Sequence, residues 1–327
     1  MPPFRPFHNS DTPLLVDVWR SQKSQRGLMQ PMSSTIFETM ILAKPYFDAA
    51  GLIVALDGDR AIGFAHAGFG PTPDRQNVST AHGAVSLLMT RPSEAGSSLP
   101  TDLLAAAEHY LTERGAKTIY GAGLRPVDPF YLGLYGGSEI SGVLESDQAQ
   151  RELFSSSCYQ PMQRTQVLQL DLARFRPLVD RKLMQIRRRT IARSIIDPAS
   201  RDWWEACTYG AFDRVAFELI ERDSQSVVAR VVYWALQPLA TTWGVQAFGL
   251  LDLEVRLSER RLGAASHLVG ESLRQLHDEG VSLIETHVLE NNTEAIALFR
   301  KLGFIPVDVA VAYSKGSLAG AAPSAAT

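Results

Sequence analysis

The sequence predicts a mixed α/β (α+β) protein built as two tandem copies of one fold. Two observations carry that prediction. An order of strand, helical segment, hairpin, strand, helix and strand runs twice through 327 residues. With the halves offset by 165, Leu103 falls on Leu268, Leu111 on Leu276, Gly115 on Gly280 and Ile119 on Ile284. Further along the offset is 145, placing Leu153, Phe154 and Tyr159 on Leu298, Phe299 and Phe304. The first copy therefore carries 20 extra residues, near 125–147.

The first copy opens with a short strand at residues 4–7. A helix comes next from Ser10 or Asp11, with Leu14, Leu15, Val18 and Trp19 as its apolar stripe. Residues 34–42 form a second helix that stops before Pro45. Residues 52–56 and 61–69 form a hairpin around Asp57-Gly58-Asp59. A strand at 84–89, a helix at 103–114 closed by Gly115, and a strand at 118–121 complete the run.

The second copy repeats this order. Residues 190–196 are strand-like and 203–209 helical. Residues 215–220 and 227–236 form a hairpin around Arg222-Asp-Ser-Gln225. From Leu251 to Leu257 apolar residues alternate with Asp252, Glu254 and Arg256, the pattern of a half-buried strand. A charged turn at 258–261 and the small-sided run Leu262-Gly-Ala-Ala-Ser266 then enter a helix carrying Leu268, Leu273 and Leu276. Gly280 stops that helix, and 282–288 is a strand. The expected division is a degenerate first domain at 1–170, a basic linker at 171–187, a second domain at 188–316 and a disordered tail at 317–327.

The balance of 45% hydrophobic and 20% charged residues is that of a soluble globular chain, with no run long enough to span a membrane. No apolar signal core follows Met1, and Cys158 and Cys207 lack metal or redox spacing, which fits a reducing cytoplasm. The net charge of -3 argues against general nucleic-acid binding. Arg174, Arg176, Arg181, Lys182, Arg187, Arg188 and Arg189 are read as a solvated connecting helix, or as a contact for an anion or RNA.

The chemistry concentrates in Arg260-x-x-Gly263-x-Ala265. Small residues at a helix start let unpaired backbone N–H groups reach phosphate oxygens, and Arg260 and Arg261 add positive charge. After the next strand comes Glu290-Asn-Asn-Thr-Glu-Ala-Ile-Ala-Leu-Phe-Arg-Lys-Leu-Gly-Phe304. This run, with Asn292, Ala295, Leu298, Phe299, Gly303 and Phe304, resembles the closing segment of the GNAT acyltransferases. The Arg260 to Ala265 run resembles that family's pyrophosphate loop. The close likeness covers about residues 252–306, and the tandem layout is similar to that of mycothiol synthase.

The resemblance implies a mixed, mainly antiparallel sheet flanked by helices in each copy, with acetyl-CoA held where two neighbouring strands splay. Those strands are 251–257 and 282–288. The pantetheine arm would pair with backbone at Val255, Arg256 and Leu257. The pyrophosphate would sit on Arg260, Arg261, Leu262, Gly263, Ala264 and Ala265, with Asn292 and Phe299 completing the cofactor site. No metal is implied. Glu254 is the candidate base for the attacking amine, its carboxyl pKa raised if an apolar cleft encloses it. It reads equally as an outward-facing strand residue, and Asp252 is an alternative base. Phe299 stands where many family members have Tyr, so the thiolate leaves unassisted, or His287 or Tyr313 supplies a proton.

At the 165 offset Arg260 becomes Ala95, Gly263 Ser98, Ala265 Pro100, Glu254 Met89 and Asn292 Val127. The first copy therefore lacks a phosphate cradle, and the active site is expected in the second. The aromatic, glycine-rich insertion at 125–137 either lines an acceptor pocket or packs on its own domain. The expected activity is N-acetyl transfer from acetyl-CoA to a small-molecule or peptide amine. The rivals are a catalytically silent acyl-CoA-binding or regulatory protein, and a transferase using tRNA-linked acceptors through the basic segment.

Overall fold

The computed structural model describes residues 4–177 and 181–316. The tail at 317–327, expected to be disordered, lies outside the described residues. The first copy runs β1 (Phe4–Pro6), α1 (Thr12–Arg20), α2 (Ser34–Phe37), β2 (Leu52–Asp57), β3 (Arg60–Pro71) and β4 (Val78–Thr90). It continues through α3 (Leu99–Glu113), β5 (Thr118–Gly121), β6 (Val143–Leu144), α4 (Gln148–Ser156) and β7 (Gln160–Asp171). After α5 (Arg181–Arg189), the second copy begins with β8 (Thr190–Ile196), α6 (Trp203–Tyr209), β9 (Arg214–Glu221), β10 (Val227–Ala235) and α7 (Gln237–Trp243). It closes with β11 (Ala247–Val255), α8 (Ala264–Asp278), β12 (Leu283–Leu289), α9 (Thr293–Lys301) and β13 (Ile305–Gly316). Each copy forms a mixed, mainly antiparallel sheet flanked by helices. No described helix is long and apolar enough to cross a membrane.

The repeat holds to the residue. α3 and α8 are offset by 165 at both ends, and Gly115 and Gly280 stop them with φ of +97° and +93°. A glycine is needed there because the left-handed backbone crowds a Cβ. α4 and α9, and then β7 and β13, are offset by 145 at both ends. The helices α4 and α9 are capped alike. Asp147 Oδ1 accepts from Gln150 N at 3.2 Å, and Asn292 Oδ1 accepts from Ala295 N at 3.1 Å. The counterpart of Asn292 is therefore Asp147, a correction to the expected Val127. The 20-residue insertion lies between the two points, so a single offset misplaces everything after it.

The chain divides into two compact units that interleave in sequence. Among the described residues, one holds 4–164, 201–211 and 310–316, and the other holds 165–177, 181–200 and 212–309. In the first, the strand order is β1-β2-β3-β4-β5-β13; in the second it is β7-β12-β11-β10-β9-β8. Each copy thus closes with a strand that completes the other's sheet. Thr118 pairs with Gly316, and at the same offsets Leu283 pairs with Asp171.

The core of the first unit takes in the insertion. Phe130, Tyr131, Leu132, Leu134 and Tyr135 are all buried, and Phe130 stacks on His66 at 4.0 Å. Burial of His66 brings its pKa down to about 3, so its ring is neutral, and Nδ1 lies 2.9 Å from the Tyr131 hydroxyl. Of the two readings of this aromatic run, packing on its own unit is the one its burial supports. α6 also joins this unit: Trp204 stacks on Tyr46 at 4.7 Å, and Arg75 pairs with Asp202 at 2.6 Å.

In the second unit, Leu268, Val269, Leu273 and Leu276 of α8 pack on Val231 and Tyr233 of β10 and Ile284 of β12, with Phe299 and Phe304 closing the cluster. α5 lies largely within the stretch read as a linker, yet it places Leu183 and Ile186, three residues apart, in buried positions. The segment is an amphipathic helix of this unit rather than a solvated connection, because its arginines mask an apolar stripe.

The turn and cap geometries set the stability of these elements. A Cβ at Gly142, where φ is +105°, would lie 2.3 Å from the carbonyl oxygen of Val311 on β13, whereas one at Gly58 meets nothing within 4 Å. Gly142→Ala is expected to lower stability by roughly 2 kcal/mol or more, and Gly58→Ala by clearly less. Equal urea midpoints for the two variants would contradict the packing of the insertion on β13. Asn292→Ala should cost about 1 kcal/mol in the same measurement, as a lost helix cap does, and Asp147→Ala more, because Asp147 Oδ2 also accepts from the buried Tyr135 hydroxyl at 2.7 Å.

Candidate active site

β11 and β12 run parallel for four register pairs, Ala247–Leu283 to Leu250–Thr286, and pair no further. The cause is visible one residue on. Leu251 has no partner on β10, because Tyr233 faces Leu250 and Val232 faces Asp252. Such a bulge bends its strand and increases its twist, steering residues 252–255 away from β12. β12 itself stays paired with β7 along its whole length, to Leu289 and Thr165. The result is a wedge open between the two strands. The strand predicted at 251–257 therefore starts earlier, at Ala247, and ends at Val255.

The backbone at this wedge has a defined polarity. Arg256 N–H donates to Val228 O at 2.9 Å, on the β10 side. Strand alternation then turns the N–H and C=O groups of Val255 and Leu253 into the wedge. Arg256 is correspondingly tied away from it, its guanidinium donating to Ser226 Oγ at 2.7 Å and Val227 O at 2.6 Å. Leu257 belongs to a 3-10 turn and is exposed. Of the three residues expected along the pantetheine arm, Val255 lines the wedge directly.

Beyond that turn the chain enters α8 through two left-handed residues, Arg261 at φ +66° and Gly263 at φ +96°. The first turn of α8 carries no acidic residue, and its leading N–H groups have no partner within the helix. Ala264 is buried and Ala265 half-buried, while Arg260, Arg261 and Leu262 are exposed around the helix start. Arg260 Nε donates to Val255 O at 3.2 Å, and Arg261 pairs with Glu294 in the first turn of α9. Positive charge, small side chains and a helix N-terminus thus meet beside the wedge, as a pyrophosphate requires. His267, one turn in, is held below its ordinary pKa by burial first, against the opposing charge of Glu271.

The approach to this cradle is fixed by a contact that the sequence hides. Glu259, itself buried, is ion-paired with Arg189 at the end of α5, and Arg189 also lies 4.0 Å from Glu221. A buried carboxylate needs such a partner. Leu183 and Ile186, spaced three apart among the arginines, are the sequence signal that α5 would dock and bring Arg189 here.

Glu254 is exposed, on the sheet face away from α8, since Leu253 and Val255 pack toward the core. The enclosing apolar cleft expected for it is not what surrounds it. It stands in register with Arg230, which faces Glu218 on β9, and Glu218 faces Arg193 on β8. The Arg193–Glu218 and Arg230–Glu218 ion pairs span 2.6 and 3.7 Å. Asn292 spends its side chain on the α9 cap. Phe299 is buried with its ring edge-on to Phe304 at 5.1 Å, as Phe154 is to Tyr159 at 4.9 Å. Asn292 thus caps α9 and Phe299 anchors it in the core.

The first copy forms the same wedge and fills it. β4 and β5 part after Val85 and Gly121, one residue before the bulge at Ser86, each at an offset of 165 from its counterpart. Here the carbonyl of Leu88 accepts from Gln150 Nε2, and that of Thr90 accepts from Gln22 Nε2 at 3.1 Å. These are the counterparts of Leu253 and Val255. At the helix start Ser98 donates to Asp102, an acid in the first turn of α3. An anion would meet a negative charge and no arginine there.

Residues 183–304 match the model of the acetyltransferase (GNAT) family. No curated protein matches the chain. Among solved structures, a GCN5-related glucosamine N-acetyltransferase region of a fungal multi-domain GH3 beta-N-acetylglucosaminidase is similar over 96% of this chain. Its TM-score is 0.70 and its identity 16%; the chain spans only 38% of that protein. A tandem GNAT protein from the clavulanic acid biosynthesis pathway is similar at TM-score 0.65 and 14% identity, over 96% of this chain and 98% of its own. A GCN5-related N-acetyltransferase from Sphaerobacter thermophilus gives 0.63 and 16%, over 96% and 95%. Residues 183–304 belong to the acetyltransferase (GNAT) family, and the chain has the fold of tandem GNAT proteins.

Proposed function

We propose that the protein is an acyl-CoA-dependent N-acyltransferase that moves an acetyl group from acetyl-CoA to an amine, with the chemistry in the second copy. The observation that carries this reading is the open wedge between β11 and β12 set against the arginine-flanked start of α8. The pantetheine amides would satisfy the wedge-facing backbone of Leu253 and Val255, displacing Arg260 Nε from the Val255 carbonyl. The pyrophosphate would take the α8 N-terminus, with Arg260 and Arg261 around it.

Bound in this way, the thioester carbonyl lies where the strands part. The amine nitrogen attacks the carbonyl carbon, the C–N bond forms, and the carbonyl electrons move to oxygen. Wedge-facing N–H groups are suited to stabilise that oxyanion. Collapse breaks the C–S bond and releases CoA. Glu254 takes the amine's proton, directly or through water, from the exposed face of the sheet. No covalent enzyme intermediate is required. The silent acyl-CoA-binding alternative keeps the same wedge and cradle but yields no product.

Calorimetric titration should give one acetyl-CoA per chain, since Gln22 and Gln150 close the first wedge; two would contradict the asymmetry. Arg260→Ala with Arg261→Ala should raise the acetyl-CoA Kd by about tenfold, as expected for lost charge-assisted phosphate contacts. Glu254→Gln should lower kcat by about 100-fold across an amine panel while leaving the acetyl-CoA KM within a few-fold. Unchanged product formation in that variant would remove Glu254 from the reaction, and its absence in the parent chain would favour the silent binder.

A further inference from the structure

The second unit holds a buried polar cluster at the tip of the wedge. Glu285 and His287 sit two residues apart on β12 and share one face of the sheet, while Ile284 and Val288 face the core on the other. The Glu285 side chain is 0% exposed and that of His287 1%. Gln169 Nε2, from β7, donates to Glu285 Oε2 at 2.7 Å, and His287 Nε2 lies 3.4 Å from Glu285 Oε1. A carboxylate removed from water is costly unless it is paired, and this one has a partner on each oxygen.

The register places the cluster beside the point where the strands part. Thr286 makes the last pair with β11, so His287 is the first β12 residue beyond the point where the strands part. Gly249 stands opposite Glu285 and contributes no side chain from β11 to that face. Phe299 on the α9 side is buried against Phe304 and carries no exchangeable proton. Attack on a thioester expels a thiolate, and an acid beside the sulfur eases its departure as CoA.

Resting on the acyl-transfer reading above, we propose that His287 is a catalytic residue that delivers this proton, and that Glu285 and Gln169 are positioning residues for it. Nε2 is turned to Glu285, whose carboxylate favours the doubly protonated ring that has a proton to give. As the C–S bond breaks, its electron pair goes to sulfur and the His287 proton follows. The proton lost by the amine to Glu254 replaces it through solvent after the products leave. The net reaction is amine plus thioester to amide plus thiol, with no further reagent. Gln169 belongs to the closing strand of the first copy, so the copy without a cradle supplies part of the proton-handling group.

The test uses the full chain, acetyl-CoA and an amine panel, with thiol release giving kcat and KM and calorimetry giving acetyl-CoA affinity. His287→Ala is expected to lower kcat about 100-fold with affinity and KM within threefold, and added imidazole to restore part of the rate. Glu285→Gln, which keeps the shape but removes the charge, should lower kcat about tenfold with the same KM. Should His287→Ala fail to fold, His287→Gln is read by the same criteria. A kcat within threefold of the parent, or an affinity that falls in step with kcat, overturns the assignment of His287 alone. A parent chain that binds acetyl-CoA and releases no thiol overturns both this assignment and the acyl-transfer reading.

Discussion

The parting of β11 from β12 is the constraint around which the second unit is arranged. Two parallel strands joined over four pairs would ordinarily continue, because a backbone group left unpaired in a protein interior is costly. The extra residue at Leu251 prevents this by putting β11 out of step with β10 and twisting its end away. The bulge creates a demand as well as an opening: the N–H and C=O groups of Leu253 and Val255 need partners that no strand supplies. A cofactor arm made of amides can meet that demand, and so can a side-chain amide from the protein itself, which is the solution seen in the first copy.

The exchange of closing strands determines how that geometry is held. β12 can part from β11 and remain rigid only if its other edge is fully paired, and β7 provides seven register pairs there. β13 does the same service for β5 in the first unit, along the end where β4 and β5 part. An unpaired edge beside an open wedge would leave β12 free to shift, with a row of exposed hydrogen-bonding groups. The second copy therefore depends on the first for the fixed wall of its wedge. This gives a physical reason for a copy without a phosphate cradle to be kept with its sheet intact.

Much of this was legible in the sequence. Alternation and glycine stops located most strands and helices, and the offsets of 165 and 145 carry over to the ends of α3, α8, α4, α9, β7 and β13. The small-sided run at Gly263 and the arginines before it pointed to the helix start they now occupy. The exchange of strands was not legible, because β7 and β13 have equivalent patterns and either sheet edge satisfies them equally. The docking of α5 was hidden because its arginines outweigh Leu183 and Ile186 in composition, though not in burial. The bulge at Leu251 could not be read either, since a bulge is set by register against β10 rather than by residue type. The burial of Glu285 was not legible, because it depends on β7 alongside.

Why one wedge is open and the other shut comes down to the side chains set on one strand geometry. The parting points, the bulges and the helices after them are superimposable in register, so shape alone does not separate the copies. In the first copy Gln150 and Gln22 bond the carbonyls of Leu88 and Thr90, each a neutral amide held within the fold and lost only at the cost of an unsatisfied acceptor. In the second copy the corresponding carbonyl of Val255 is met by Arg260 Nε, from an exposed residue whose guanidinium is also attracted to phosphate. Moving Arg260 costs little, because water can solvate a surface cation, and a pyrophosphate offers it a charged partner in exchange. Asp102 and Arg261 then add opposite signs at the two helix starts, repelling an anion from α3 and drawing it to α8. The two copies of one fold diverge by this route: backbone polarity is shared, and the side chains that answer it are not.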